Sequence, residues 1–91
     1  MGFTLYQSGI LPELPKKLAF EEDGITIEAL FHLLAGRYGE NAITGVLDRD
    51  GTIDENTMLV LNGKIVKSSQ AKQTVIPAGS ELLITALIAG G

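Results

Sequence analysis

The segment LITALIAGG, residues 83–91, carries the residue types that most clearly indicate chemistry. It is apolar apart from Thr85 until Gly90 and Gly91. Glycine lacks a Cβ atom, so its backbone can pass through a channel too narrow for other residues. Four extended residues span about 13 Å, which is enough to carry a carboxylate from a domain surface into another protein's active site. We therefore expect residues 88–91 to form an exposed, flexible tail.

A carboxylate at Gly91 is a poor electrophile until one oxygen is converted into a better leaving group. Adenylation by ATP does this, and the acyl-adenylate can then be attacked by sulfide, persulfide or an amine. The chain has no GxxxxGK[ST] motif, which is typical of a phosphate-binding loop. We therefore expect ATP to bind a partner protein, and we predict that this chain is not itself an enzyme.

The segment DRDGTIDEN resembles part of a calcium-binding loop. With Gly51 at the sixth loop position, Asp48 and Asp50 fall on ligand positions three and five. Val46 then occupies the first position and Thr57 the last, where a bidentate carboxylate belongs. A solvated acidic turn is therefore the favoured interpretation, and we predict no metal site, although the pattern leaves open whether the loop binds any metal.

The remaining candidate side chains favour structural interpretations. His32 is the only histidine, and it lies on the polar side of a predicted helix without cysteine or a carboxylate cluster to complete a metal site. Ser68, Ser69 and Ser80 show no signature of an activated nucleophile. These residues do not change the prediction of a non-catalytic chain.

Composition limits the other function classes. The 91 residues, of which 45% are hydrophobic and 20% charged, predict one folded domain over 1–91. The net charge is −4 and the seven basic residues are scattered, which argues against nucleic-acid binding. The absence of cysteine and of a long apolar segment favours a cytoplasmic protein without membrane contact.

Hydrophobic periodicity predicts an α+β fold with one helix across a mixed sheet. FTLYQ and KKLAFEEDG are predicted strands, and TIEALFHLLAGRYGE is a predicted helix with Thr26 as N-cap. MLVLNGKIV predicts a hairpin with its turn at Asn62 and Gly63, and ELLITALI is the last strand. The predicted buried face of the helix comprises Ile27, Leu30, Phe31, Leu34 and Tyr38.

The last predicted strand is apolar on both sides. Leu82 and Ile84 share one side with residues 86 and 88, whereas Leu83 and Leu87 share the other. One helix can cover only one face of a sheet. Either the long loops or a partner protein must therefore cover the second face.

Three segments together resemble the MoaD/ThiS family of sulfur carriers, which have the ubiquitin-like β-grasp fold. They are TIEALFHLL, the run MLVLNGKIV followed by PAGSELLI, and the terminal IAGG. The resemblance covers most of the chain in order. It implies a four- to five-stranded mixed sheet with one main helix and a Gly-Gly tail.

The resemblance also implies a function. A ubiquitin-activating-type adenylyltransferase, using ATP and magnesium, would adenylate the Gly91 carboxylate, which would become a thiocarboxylate. Ile88 and Ala89 would line the channel through which the tail threads, with Gly90 and Gly91 at its end. The recipients of sulfur in this family include the large subunit of molybdopterin synthase and thiazole synthase, and the doubly apolar sheet would be the docking surface.

The pathway stays open at the level of sequence. Molybdopterin-type members often carry Pro-Pro shortly before the glycines, where this chain has residues 85–88, TALI, which is closer to the thiamine type. Thiamine-type carriers are usually shorter, and the ILPELP and DRDGTIDEN segments look more like molybdopterin-type relatives. Two alternatives to a sulfur carrier are a protein modifier conjugated through Gly91 to lysines and a β-grasp binding module whose glycines have no role.

Overall fold

A computed structural model of the chain describes residues 2–44, 46–47 and 53–86. Strands and a helix follow one another in the predicted order of strand, strand, helix, strand, short strand and last strand. The elements are β1 (Phe3–Gln7), β2 (Lys17–Phe20), α1 (Ile27–Tyr38), β3 (Thr57–Leu61), β4 (Lys64–Val66) and β5 (Glu81–Ala86), with single 3₁₀ turns at Glu40–Ile43 and Ser68–Gln70.

The five strands form one mixed sheet in the order β2-β1-β5-β3-β4. β1 and β5 are parallel, and the other neighbours are antiparallel. α1 packs on one face of this sheet and shares a single hydrophobic core with it. This arrangement is the ubiquitin-like β-grasp fold, so the expected fold class is confirmed. Its consequence for function is that β5, the strand that leads into the predicted tail, lies at the centre of the sheet.

α1 begins where the sequence predicts. The Thr26 hydroxyl accepts a hydrogen bond from the Ala29 N–H at 3.1 Å, which satisfies one of the free donors of the first turn. Tyr38, predicted to be buried, is instead 39% exposed, because it is the last helical residue and the chain leaves the helix immediately after it. The fully buried helix residues are Ile27, Leu30, Phe31 and Leu34.

No helix in the described ranges is both long and apolar enough to cross a bilayer.

β2 is shorter than predicted and stops at Phe20. Its partner β1 starts at Phe3, opposite Phe20, because Gly2 has φ +46° and leaves the extended conformation. The Gly2 N–H then donates to Asp23 Oδ1 at 2.9 Å. A Cβ atom at Gly2 would lie 1.6 Å from the Phe20 carbonyl oxygen, so this position requires glycine.

The predicted hairpin turn between β3 and β4 is confirmed. Asn62 and Gly63 have φ values of +51° and +83°, as a type I′ turn requires. Asn62 also fixes the start of β5, because its Oδ1 accepts from the Glu81 N–H at 2.9 Å and its Nδ2 donates to Ser80 Oγ at 3.1 Å. The turn residue therefore links the β3–β4 hairpin to the central strand.

Candidate functional site

The predicted tail, residues 88–91, lies outside the described residues, together with Leu87. The structure describes the strand that leads to it. β1 pairs with residues 81–84 of β5, ending with Gln7 opposite Ile84, and β3 pairs with residues 82–86, including Met58 opposite Thr85. The root of the tail is therefore attached to the middle of the sheet rather than to a free edge, which gives any carboxylate beyond it a fixed origin.

Gln7 is a buried polar side chain next to this root. It is 5% exposed and occupies the third inward position of β1 after Phe3 and Leu5. Its Oε1 accepts from the Leu11 N–H at 2.9 Å, and its Nε2 donates to the carbonyls of Leu11 and Leu14 at 2.7 and 2.8 Å. The side chain therefore acts as a template for the backbone of the β1–β2 loop, residues 8–16.

The sheet face opposite α1 carries a row of side chains that crosses all five strands. The pairing register places each member beside the next, and we call this set the outer row. Ile65 is 70% exposed and Leu83 is 37% exposed, so the described part of the chain leaves this row open to solvent. The row runs from β2 to β4 in the order Lys17, Tyr6, Leu83, Val60 and Ile65.

The outer row combines an apolar centre with positive ends. The Lys17 ammonium lies 5.8 Å from the centroid of the Tyr6 ring, within the range of a cation–π interaction. At the other end, Lys67 is exposed two residues after Ile65, whereas Lys64 pairs with Leu61 and lies on the opposite face of β4. The row therefore offers apolar area with lysines beside its two ends to a binding partner, and the exposed Glu81 lies on the same face two residues before Leu83.

The acidic segment is only partly described. Asp48 and Asp50, the best-placed ligands of the calcium-like pattern, lie outside the described residues. Val46, at the first position of that pattern, is buried in the core. Asp54 Oδ1 accepts a hydrogen bond from the Asn56 N–H at 2.7 Å, which is a local turn contact. Within the described ranges, no group of three or more His, Cys, Asp or Glu side chains is arranged to hold a metal ion.

The other candidate side chains have ordinary surroundings. His32 is exposed on α1, and Ser69 is exposed in the 3₁₀ turn, where Ser68 is half-buried. Ser80 is buried, and its hydroxyl accepts the hydrogen bond from Asn62. These positions are spread over separate parts of the molecule, and the structure does not bring them together.

Comparison with known proteins gives the family. A model of the ThiS family matches residues 9–91. The chain belongs to the ThiS family. This match includes every strand except β1, and it includes the segments on which the sequence resemblance depends. A search of curated protein sequences finds no significant match.

Solved structures resemble this ThiS-family chain along its whole length. A crystal structure of SAMP1 from Haloferax volcanii has a TM-score of 0.75 at 19% identity and covers 100% of both chains. A crystal structure of small archaeal modifier protein 1 from the same organism has a TM-score of 0.74 at 18% identity and covers 94% of this chain and 97% of that one. Urm1 from Trypanosoma brucei, solved in solution, has a TM-score of 0.73 at 16% identity, with 99% and 95% covered. At these identities the likeness establishes the ubiquitin-like fold.

The structure adds two features that sequence reasoning missed. The sequence indicates Gln7 only as the end of a strand; the signal for its role is a polar residue at an inward position of an otherwise apolar alternation, directly before a turn-rich segment. The outer row needed the register of all five strands, because its members come from five separate segments. The two-sided apolar character of β5, by contrast, is confirmed, with Leu82 buried and Leu83 exposed.

Proposed function

We propose that this protein is a sulfur carrier whose Gly91 carboxylate is adenylated by a partner enzyme and converted to a thiocarboxylate for cofactor biosynthesis of the molybdopterin or thiamine type. The observation that carries the proposal is the membership of the ThiS family together with the course of β5, which leads from the centre of the sheet towards the Gly-Gly sequence. Five residues follow Ala86, and when extended they reach about 17 Å. Ile88, Ala89 and Gly90 would occupy the channel of the partner.

The chemistry divides between this chain and the partner. A ubiquitin-activating-type adenylyltransferase supplies ATP and magnesium, and the Gly91 carboxylate attacks the α-phosphate and releases pyrophosphate. Hydrosulfide then attacks the acyl carbon, and AMP leaves with the carboxylate oxygen. If the donor is a persulfide, the product is an acyl disulfide, and a further thiol must cleave its S–S bond to release the thiocarboxylate and form a disulfide with the donor. The chain contributes the acyl group and its position, so it acts as a co-substrate rather than a catalyst. Since the reaction consumes ATP, we place it in the cytoplasm.

We assign the outer row as the surface on which the partner enzymes dock. Its apolar centre would be buried against the activating enzyme and, in turn, against a sulfur-accepting enzyme of the molybdopterin synthase or thiazole synthase type. Leu83 lies in the row and in β5, only a few residues before the tail, so docking and threading would involve the same strand. The lysines at either end of the row favour a partner with an acidic rim.

Intact-mass measurement tests the proposal. The purified protein is incubated with the activating enzyme, ATP, magnesium and a sulfur source, and replacement of one oxygen by one sulfur is the expected mass change. The matched control lacks Gly91 and should keep its mass. An unchanged mass of the full chain with an activating enzyme that is competent on its own carrier would overturn the carrier function.

The second candidate is a ubiquitin-like protein modifier. It is favoured by the same acyl-adenylate chemistry, since an amine can attack where sulfide attacks, and by the fold shared with a protein named as a small archaeal modifier. In cell extract, a series of heavier conjugates linked through Gly91 to lysine would support this candidate, whereas thiocarboxylate without conjugates would exclude it under those conditions.

A further inference from the structure

The last described residues of β5 are held by Ser8, the first residue of the β1–β2 loop. The Ser8 N–H donates to the Ile84 carbonyl at 3.1 Å, which extends the parallel pairing of β1 and β5 beyond the end of β1. The Ser8 hydroxyl donates to Thr85 Oγ1 at 2.8 Å. Thr85 is followed by Ala86, the last residue of β5, so this pair of hydroxyls is the last described side-chain contact before the tail.

The position of Ser8 is well defined because Ser8 begins the β1–β2 loop, and Gln7 holds the backbone of that loop. In addition to the bonds already described, Gln7 Oε1 accepts from the Gly9 N–H at 3.2 Å and its Nε2 lies 3.2 Å from the Pro15 carbonyl. The same loop inserts Leu11 and Leu14 into the core. The loop is therefore attached both by polar contacts to a buried amide and by apolar packing.

The hydroxyl pair itself contributes little to global stability, because it is a neutral hydrogen bond on the exposed surface. Its position suggests a local role. We propose that Gln7, Ser8 and Thr85 form an anchor that fixes the point and direction at which the tail leaves the sheet, so that the tail enters the activating enzyme already oriented. All three are positioning residues, and the proposal rests on the proposed adenylation of Gly91.

The expected effect follows from conformational entropy. If the anchor is lost, Thr85 and Ala86 are held only by their pairing with Met58 and Thr57 of β3. This end of the strand then frays more before binding and must be ordered when the tail threads. This raises the KM for the carrier protein by about three- to tenfold. Once the tail is bound, the reacting carboxylate has the same surroundings, so kcat is unchanged.

Thr85→Val and Thr85→Ser form a matched pair for the test, because valine keeps the branched shape and loses the hydroxyl whereas serine keeps the hydroxyl. Pyrophosphate release by the activating enzyme should show the raised KM for Thr85→Val and the wild-type KM for Thr85→Ser. Ser8→Ala should match Thr85→Val. The double variant Ser8→Ala/Thr85→Val should show no further increase, because both changes remove the same hydrogen bond.

A second readout needs no partner. The ¹H–¹⁵N heteronuclear NOE of the Ala86 amide should fall in Thr85→Val and stay at the wild-type value in Thr85→Ser. Equal NOE values in the two variants, equal KM values, or a lower kcat at constant KM would overturn the anchor. Failure of the wild-type chain to be adenylated would instead overturn the proposed function, and the NOE would still decide whether the anchor exists.

Discussion

The two faces of β5 carry similar side chains in different surroundings. Leu82 and Ile84 point towards α1 and are completely buried, whereas Leu83 between them is 37% exposed on the outer row. Burying one such side chain contributes about 1.5–3 kcal/mol to folding, and only the inner residues receive the whole of this contribution. The comparison shows that apolar character alone does not indicate a role in stability, because the outer residues are apolar without being needed for the core.

The exposed apolar side chains of the outer row indicate a function because they are aligned across the sheet. A single exposed residue such as Val75 is common on protein surfaces and needs no explanation. The outer row is different, because the register of five strands places its members side by side across the sheet. The following predictions test whether the inner face serves folding and the outer row serves binding.

The largest effect on stability is expected at the inner face. Leu34 is fully buried in α1 against the sheet, so Leu34→Ala should lower the free energy of unfolding by roughly 2–5 kcal/mol. Urea denaturation measures this change. A shift close to zero would show that α1 does not provide the main cover of the inner face.

Gln7 is a buried polar side chain on the inner face. Gln7→Leu removes the amide that satisfies several loop backbone groups, and we expect a loss of about 1–3 kcal/mol. Hydrogen exchange should also become faster at the Leu11 amide. Ser8→Ala is the matched control, since it removes only an exposed hydrogen bond and should leave the unfolding midpoint unchanged.

A much smaller stability change is expected on the outer row. Ile65→Ala should alter the free energy of unfolding by less than about 0.5 kcal/mol, because this side chain is 70% exposed. It should nevertheless raise the KM of the proposed activating enzyme for this protein. Val75→Ala is the control, because Val75 is 49% exposed but lies outside the outer row, and it should change neither quantity. If Ile65→Ala and Val75→Ala raised the KM equally, the outer row would not differ in binding from the rest of the surface.

The smallest stability change is expected from deletion of Gly91. Because we expect the residues after β5 to make few core contacts, the melting temperature should be unchanged while the proposed adenylation is abolished. Differential scanning calorimetry and pyrophosphate release measure the two effects. A loss of thermal stability in step with the loss of adenylation would mean that the end of the chain is part of the fold.

Local signals in the sequence were sufficient for most elements. The helix was predicted from its spacing of apolar residues and its N-cap, and the hairpin from Asn62 and Gly63. Errors arose where an element depends on a distant neighbour, and where a periodic pattern reaches the end of an element. β2 stops early because Gly2 turns its partner strand away, and Tyr38 is exposed although its spacing places it on the buried side of the helix.

The candidate site was likewise predictable from the sequence only in part. The Gly-Gly sequence, the apolar strand before it and the lack of a phosphate-binding motif are properties of contiguous residues, so they could be recognised without coordinates. The sequence also predicts that the last strand is apolar on both sides, but it does not show what covers the second side. The fold answers part of that question, because the described loops leave the outer row open.

The sequence by itself determined the helix, the hairpin and the succession of strands along the chain, and it predicts the chemistry at Gly91, since each depends on residues that are close together along the chain. Only the tertiary structure decided that β5 lies at the centre of the sheet, that five distant side chains align into the outer row, and that Ser8 meets Thr85. These features depend on strand register and on a parallel pairing between the two ends of the chain. Side-chain packing and backbone hydrogen bonds fix the register of β1 on β5, because no turn joins these two strands as Asn62 and Gly63 join β3 and β4.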